Sequence, residues 1–280
     1  MGAGANELGL RSVFHPSDFS DASYLAFVHA LKIAIASRSH FTILHAQSDE
    51  TKRRWTDSPP VRGTLERWGL LEANSSRDEV QARLGVRAKK VSWAGTDPVD
   101  AILDYLERDP ADLIVLAVHG DKDSKRSITR PVAEALAKRS KAITLLLPAG
   151  ARGFISAEDG RSTLRRVLVP IDHTPDPHIS IEAATRLGDA LSEEPVCYTA
   201  LHVGEPDGLP ALEIPENVQD QLDYAVRQGD IANEIVAAAE EMDADLIVLT
   251  TRGEGGTCDA VTRSATCPVL VVPVDWAPVR

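Results

Sequence analysis

The chain has 280 residues, 43% of them hydrophobic and 26% charged, with 30 basic against 42 acidic side chains and a formal net charge of −12. This is the profile of a globular chain of one or two domains, and its negative balance opposes binding to nucleic acid or to an anionic membrane. No apolar run approaches the roughly 20 residues of a membrane span, the first ten residues lack the basic stretch and apolar core of a secretion signal, and Cys197, Cys258 and Cys267, odd in number and unclustered, fit a reducing cytoplasm better than a disulfide framework or a zinc site.

In chain order, "LRSVFHP" (10–16) reads as a strand. "SDASYLAFVHALKIAIAS" (20–37) follows with apolar residues at helical spacing, and Ser20 stands where an N-cap is wanted. The strand "FTILHA" (41–46), a long variable stretch and the strand "VRAKKVSW" (86–93) come next. "TDPVDAILDYLER" (96–108) is a helix opened by Thr96 or Asp97, with Pro98 in its first turn. The strand "DLIVLAV" (112–118), a loop, the helix "PVAEALAKR" (131–139) and the strand "ITLLLP" (143–148) complete the first half. The second half repeats the alternation: "RVLVPI", "ISIEAATRLGDALS", "VCYTALHV", "DYAVRQ", "DIANEIVAAAEEM", "DLIVLTT", "GTCDAVTRS" and "VLVVPV". "DLIVLAV" and "DLIVLTT" are apolar almost throughout, as parallel strands covered on both faces are.

The halves also match in words. "PADLIVLAVHG" (110–120) recurs as "DADLIVLTTRG" (243–253), "SVFHPSDFS" (12–20) as "RVLVPIDHT" (166–174), "FTILHAQ" (41–47) as "YTALHVG" (198–204), and "AITLLLP" (142–148) as "PVLVVP" (268–273). Four matches in the same order indicate a duplication. Five strands alternating with four helices give a doubly wound α/β domain. Two such domains are expected, at 1–150 and 151–280, joined through "AGARGFISAEDGRST" (149–163), a segment rich in Gly, Ser and charge. Relative to the second half, the first carries about 24 extra residues between its second and third strands, including Trp55 and Trp68. Within them "TLERWGLLEA" is expected as a helix packed on its own domain; exposed, the same surface would be a partner site.

Ligands of open parallel sheets bind beyond the carboxyl ends of the strands. There stand a carboxylate after the first strand of each half, Asp18 or Asp172, and a glycine after the fourth, Gly120 or Gly253. Such a carboxylate can accept from an adenine amino group or a ribose hydroxyl, and glycine leading into a helix can offer backbone N–H groups to phosphate. Either Asp can equally do no more than cap a turn. "DHTPDPH" (172–178) gathers Asp172, His173, Asp176 and His178, metal-competent residues in what the prolines make a loop; with no further ligand elsewhere, a solvated loop and no metal is the reading. No nucleophile elbow, Ser-His-Asp arrangement or paired-carboxylate motif stands out, so no catalytic residue is assigned.

On "VFHPSDFSDAS", "ILHA" and "ADLIVLAVHG", and again on "VLVPID", "ALHVGE", "ADLIVLTTRG" and "TCPVLVVP", the chain resembles the universal stress proteins in their tandem, two-domain form. The resemblance implies sheets of order 3-2-1-4-5 related by a pseudo-two-fold. It also implies pairing of the last strands, 142–148 with 268–273, as a pseudo-dimer inside one chain that leaves room for a further homodimer. Its ATP-binding members carry Gly-x-x-Gly, nine residues, then Gly and Ser or Thr. Here the first half has Ala117, Gly120, nine residues, then Arg130 and Pro131. The length is kept and the glycines are not. The loop holds Lys122, Lys125, Arg126 and Arg130, which reads either as solvated charge or as an anion site built on side chains. The second half has Thr250 and Gly253, and a loop about eight residues shorter, in which Gly255, Gly256 and Thr257 stand where the motif would end. Only Glu254 separates Gly253 from Gly255, so this turn is expected as a remnant that cannot span a triphosphate. Three functions remain open: a stress-associated regulatory or binding module with degenerate ATP sites, not an enzyme; an ATP or adenine-nucleotide binder with at most slow hydrolysis; or a carrier of a non-nucleotide small molecule in the same cleft. The residues name no certain cofactor, no stress and no protein partner.

Overall fold

The computed structural model describes residues 8–47, 60–94, 97–118, 130–212, 214, 216–253 and 256–277. Ten strands form one sheet. The first half supplies β1 (Ser12–Pro16), β2 (His40–Gln47), β3 (Arg87–Ala94), β4 (Leu113–Val118) and β5 (Ile143–Pro148). The second supplies β6 (Arg166–Ile171), β7 (Cys197–Val203), β8 (Leu222–Arg227), β9 (Leu246–Thr251) and β10 (Val269–Pro273). The order is β3-β2-β1-β4-β5-β10-β9-β6-β7-β8, which is 3-2-1-4-5 in each half, run outward from the centre. Neighbours within a half are parallel, and β5 and β10 meet antiparallel with Leu145 opposite Leu270. Two apolar edges that would otherwise be open templates thus pair with each other.

Helices cover both faces. On one lie α1 (Asp21–Ser37), α2 (Val61–Arg67), α3 (Arg77–Leu84) and α6 (Pro177–Leu191), sharing a core that runs through Phe27, Leu31, Leu65, Val80, Ala184 and Leu187. On the other lie α4 (Pro98–Arg108), α5 (Arg130–Arg139), α7 (Ile231–Glu241) and α8 (Thr257–Ser264), over Ile102, Leu136, Ile235 and Val261. Every residue of β4 is buried, as a doubly covered parallel strand requires. Ser20 caps α1 by accepting from Ser23 N, and Asp97 caps α4 through Val99 and Asp100 N–H. Thr96, the alternative cap, lies outside the described residues, as does Trp55.

Two segments differ from their expectation. The linker 149–163, for all its glycine and charge, is a packed strap: Phe154 is fully buried, and Ile155 and Ser162 form an antiparallel bridge. His29 on α1 holds the strap, its Nε2 accepting from Phe154 N (2.9 Å) and Ile155 N (3.1 Å) while its Nδ1 donates to Leu25 O (2.8 Å). A side chain at Gly153 would meet the His29 ring at 2.6 Å, and the residue sits at φ +68°, so glycine is needed twice over. The insertion holds two short helices, and Trp68, after α2, packs across to the strap, donating Nε1–H to Ala157 O (3.2 Å). The apolar residues of the insertion therefore anchor the connection between the halves as well as their own domain.

Candidate functional site

In the first half, β1 ends at Pro16 and the chain turns through Ser17–Ser20 into α1. Asp18 Oδ1 accepts from Ser20 N (2.9 Å), and Phe19 takes a positive φ of 61° and stacks on His45 with ring centroids 4.2 Å apart. His45 Nδ1 donates to Ser17 O (2.7 Å). Beneath the turn His15 is fully buried. Its Nδ1–H donates to Val115 O (2.9 Å), which leaves Nε2 as the acceptor for Ser23 Oγ (3.3 Å), and Ser23 Oγ in turn meets Ser17 Oγ at 3.0 Å. Burial pushes the His15 imidazole down to about 4, against the smaller upward pull of its bond to Val115, so it is neutral at physiological pH. Asp18 therefore sits in a stiff turn whose geometry is fixed from below. Of the basic loop, Gly120, Lys122, Lys125 and Arg126 lie outside the described residues; Arg130 is the first residue of α5 and Pro131 the second.

In the second half, Asp172 is exposed just beyond β6, with Oδ1 accepting from His173 N (2.7 Å). Asp176 N-caps α6 through His178 N (3.0 Å). Among the described residues no group of three His, Cys, Asp or Glu side chains is placed to hold a metal ion. Asp172 and Thr257 line one cleft of ≈140 Å³ together with Ser180, Ile235, Thr250 and Cys258. The Thr250 hydroxyl is buried there without a hydrogen-bond partner among the described residues. Gly253, at φ +85°, directs its N–H to Thr251 Oγ1 (3.1 Å). Gly256 occupies the N-cap position of α8 at φ +109°, so the helix begins four residues after Gly253, at Thr257; Glu254 and Gly255 lie outside the described residues. Pockets that enclose ligands of nucleotide size run to roughly 300–1,000 Å³, and this cleft falls short of that.

The family model of the universal stress protein family matches residues 10–148 and 211–273. The chain belongs to the universal stress protein family. Solved structures agree at the level of fold. A universal stress protein from Archaeoglobus fulgidus DSM 4304 is 16% identical, with 95% of this chain and 96% of that chain covered and a TM-score of 0.58. A putative universal stress protein from Pseudomonas aeruginosa UCBPP-PA14 is 15% identical, with 95% and 94% covered and a TM-score of 0.61. The cytoplasmic domain of a prokaryotic cation chloride cotransporter is also similar, 11% identical over 96% of this chain and 97% of that chain, with a TM-score of 0.54. No curated protein matches the chain.

Coverage of nearly the whole length by other stress proteins fits the tandem form of the family. No helix among the described residues is long and apolar enough to cross a membrane. Within this family member, sequence reasoning put Asp172, Gly253 and Gly256 at the same end of the sheet, where they are. It did not single out Ser180 or Cys258, and it took Thr250 only as the replacement of a motif glycine; the three come together where β6, β9, α6 and α8 meet. It also passed over Asp112 and Asp245, although both stand in the repeated "ADL". Asp245 is buried and accepts from Arg165 N (2.8 Å), Arg166 N (3.0 Å) and the Arg152 guanidinium (2.6 Å), and Asp112 receives Arg11 N (2.7 Å) and Ser12 N (2.9 Å). The repeated carboxylate is the clamp that ties the first strand of each half to the fourth.

Proposed function

We propose that this universal stress protein is a regulatory or binding module of the stress response, not a metabolic enzyme, whose second-half cleft no longer binds a triphosphate. The observation that supports this best is the turn between β9 and α8. Gly253 has spent its N–H on Thr251, α8 starts at Thr257, and the cleft of ≈140 Å³ is small beside the roughly 300–1,000 Å³ of ordinary small-molecule sites. The buried Thr250 hydroxyl and the polar rim of Asp172 and Ser180 suit a small polar group at most. The first half keeps the length of the family loop and places its turn carboxylate, Asp18, over a rigid base, so any adenine nucleotide the protein takes belongs there.

Isothermal titration of the whole protein with ATP and magnesium, repeated on Asp18→Ala and Asp172→Ala, tests this reading. The expected result is either no binding or weak binding that responds to Asp18→Ala alone, with no phosphate released on incubation. Micromolar affinity that Asp172→Ala removes would sink it. A second readout is thermal: ligand at about 100 times its dissociation constant adds roughly 2.7 kcal/mol to stability, so ATP that leaves the melting temperature unmoved at millimolar concentration is not the ligand.

A further inference from the structure

β3 ends the sheet on one side and β8 on the other, and the two edges are finished differently. Along β3 the exposed side chains of Arg87, Lys89 and Lys90 set like charge on the edge, and α2 and α3 of the insertion stand beside it. Both are devices that keep a second sheet away. β8, "LDYAVR", carries neither lysine nor proline, and among the described residues its connection from β7 brings it no α-helix. Of the four large apolar side chains exposed among the described residues, two, Tyr224 and Val226, lie on this one strand.

The backbone on the outer side of β8 is bare as well. Arg227 O accepts from Gly204 N (2.8 Å), so Asp223, Ala225 and Arg227 turn their backbone groups to β7, and by alternation Leu222, Tyr224 and Val226 turn theirs outward. Among the described residues neither Tyr224 nor Val226 makes a hydrogen bond on that side. The strand is also complementary to itself. Set antiparallel to a second copy about a two-fold axis at Ala225, it brings Tyr224 of each copy opposite Val226 of the other, and these outward-facing residues exchange ladder hydrogen bonds. Ala225 then meets Ala225, and Asp223 stands opposite Arg227, in the non-hydrogen-bonded pairs whose side chains lie closest. An axis at Tyr224 or at Val226 would keep a ladder but would set Asp223 against Ala225 or Gly229. Arg227 already pairs with Glu241 of α7 in its own copy (2.5 Å), so the opposition of charges selects the register, while the ladder bonds and the apolar pairs supply the contact.

We propose that two copies of this chain join edge to edge through β8, antiparallel about an axis at Ala225, so that their sheets run on as one. The interface is independent of the reading of the strand-end clefts and stands if that reading fails. A net charge of −12 on each copy opposes the approach, and a contact one strand wide is small, so the dimer belongs to the weak end of protein association. Sedimentation equilibrium of the whole protein from about 5 to about 200 μM, at about 150 mM NaCl to screen the repulsion, should show monomer and dimer in exchange. Tyr224→Lys/Val226→Lys sets like charges opposite one another and should weaken the dimer about tenfold or more. Both side chains are exposed, so the melting temperature should hold; if the double variant melts early, Val226→Pro, which removes an outward N–H that the ladder to β7 does not use, makes the comparison. Cross-linking reads the register. In a Cys197→Ser background, which removes the exposed native thiol, Ala225→Cys sets two thiols across the axis within reach of a disulfide, whereas Asp223→Cys sets them out of step and beyond it. Mild oxidation should therefore link the first variant and not the second. A protein that stays monomeric to about 200 μM overturns the proposal. So does a dimer that Tyr224→Lys/Val226→Lys leaves unchanged, or one in which Ala225→Cys links no more readily than Asp223→Cys.

Discussion

Acidification should unfold this protein through its buried histidines, and His29 gives the cleanest test. The ring is fully buried between α1 and the strap, and burial pushes it down to about 4 against a small upward contribution from Leu25 O. In the unfolded chain the same imidazole titrates near 6.5. The sign follows: as pH falls, the unfolded state takes up the proton first, so stability is intact above about pH 6.5 and is lost progressively down to about pH 4. A difference of two to three pH units corresponds to about 3 kcal/mol for this one residue. Between about pH 6 and pH 5 the contribution changes by a little over 1 kcal/mol per pH unit, close to one proton's worth. His15, also depressed to about 4 by burial, adds a second and similar increment. His29→Gln removes one titrating group while keeping an acceptor near the Nε2 position for Phe154 and Ile155 N–H. Its slope of stability against pH in that window should therefore fall from about two protons to about one, with a loss of about 1 kcal/mol at pH 7 for the bond to Leu25 O. His29→Leu leaves both strap N–H groups buried and unpaired and should cost several times more, about 2–5 kcal/mol at pH 7. Urea unfolding followed by tryptophan fluorescence, with Trp68 reporting on the strap, supplies the slopes. Equal slopes for the native protein and His29→Gln would refute the reasoning, because they would mean that His29 does not change its proton affinity on folding.

Carboxylates of the two kinds should behave oppositely. Asp245→Ala strips acceptors from Arg165 and Arg166 N–H at a buried position and should lose about 2–4 kcal/mol in denaturant unfolding, whereas Asp18→Ala and Asp172→Ala should each lose at most about 1 kcal/mol; a loss of several kcal/mol for either of these two would make it a structural residue. Gly188→Ala would set a methyl 2.0 Å from the Tyr198 hydroxyl, which should cost about 1–3 kcal/mol, and most of that should return in Gly188→Ala/Tyr198→Phe, where the nearest remaining ring atom is at 3.2 Å; the same melting temperature for single and double variants would mean that the clash is relieved elsewhere. Residues 1–150 and 151–280 expressed apart should self-associate or aggregate on size-exclusion chromatography, since each bares an apolar edge, β5 or β10; two well-behaved monomers would contradict this.

The strands were legible because the information is local and repeated, while their order followed only from the resemblance to the universal stress proteins. An all-apolar hexamer such as "LIVLAV" has few other homes than the middle of a parallel sheet, and the duplication supplied a second reading of each element. Helix starts were legible where a capping side chain stood next to the apolar period, as at Ser20 and Asp97. α3 was passed over although "SRDEVQARLG" contains its whole punctuation, the Ser76–Glu79 capping box and Gly85 at the end, because it buries only Val80 and so shows no apolar stripe. The packing of the linker was not legible because glycine and charge outnumber Phe154 and Ile155 in it. The residue that receives it, His29, lies more than 120 positions earlier in the chain, and nothing in an apolar helix announces that one imidazole will serve backbone N–H groups so far away. The cleft was legible by position and not by size: the sequence says which residues follow β6 and β9, while the volume left between them depends on how α6 and α8 settle.

Duplication lets the molecule serve as its own control for what the fold requires. The clamp carboxylates Asp112 and Asp245 stand at the same place and make the same kind of bond in both halves, and so do His45 and His202, each directed at the carbonyl of the residue at or just past the end of a first strand. These are demands of the sheet. Where the halves part, the sheet has made no demand. β3 bears Lys89 and Lys90 and is flanked by α2 and α3, while β8 bears Asp223 and Tyr224 and, without an insertion, leaves Tyr224 at 46% and Val226 at 39% exposure. The β9–α8 connection has shortened while its counterpart kept the family length. A domain that must only fold could have kept both halves alike. The halves thus part at the third-strand edge and at the turns that follow the first and fourth strands, while the clamps that tie first strand to fourth are kept in both.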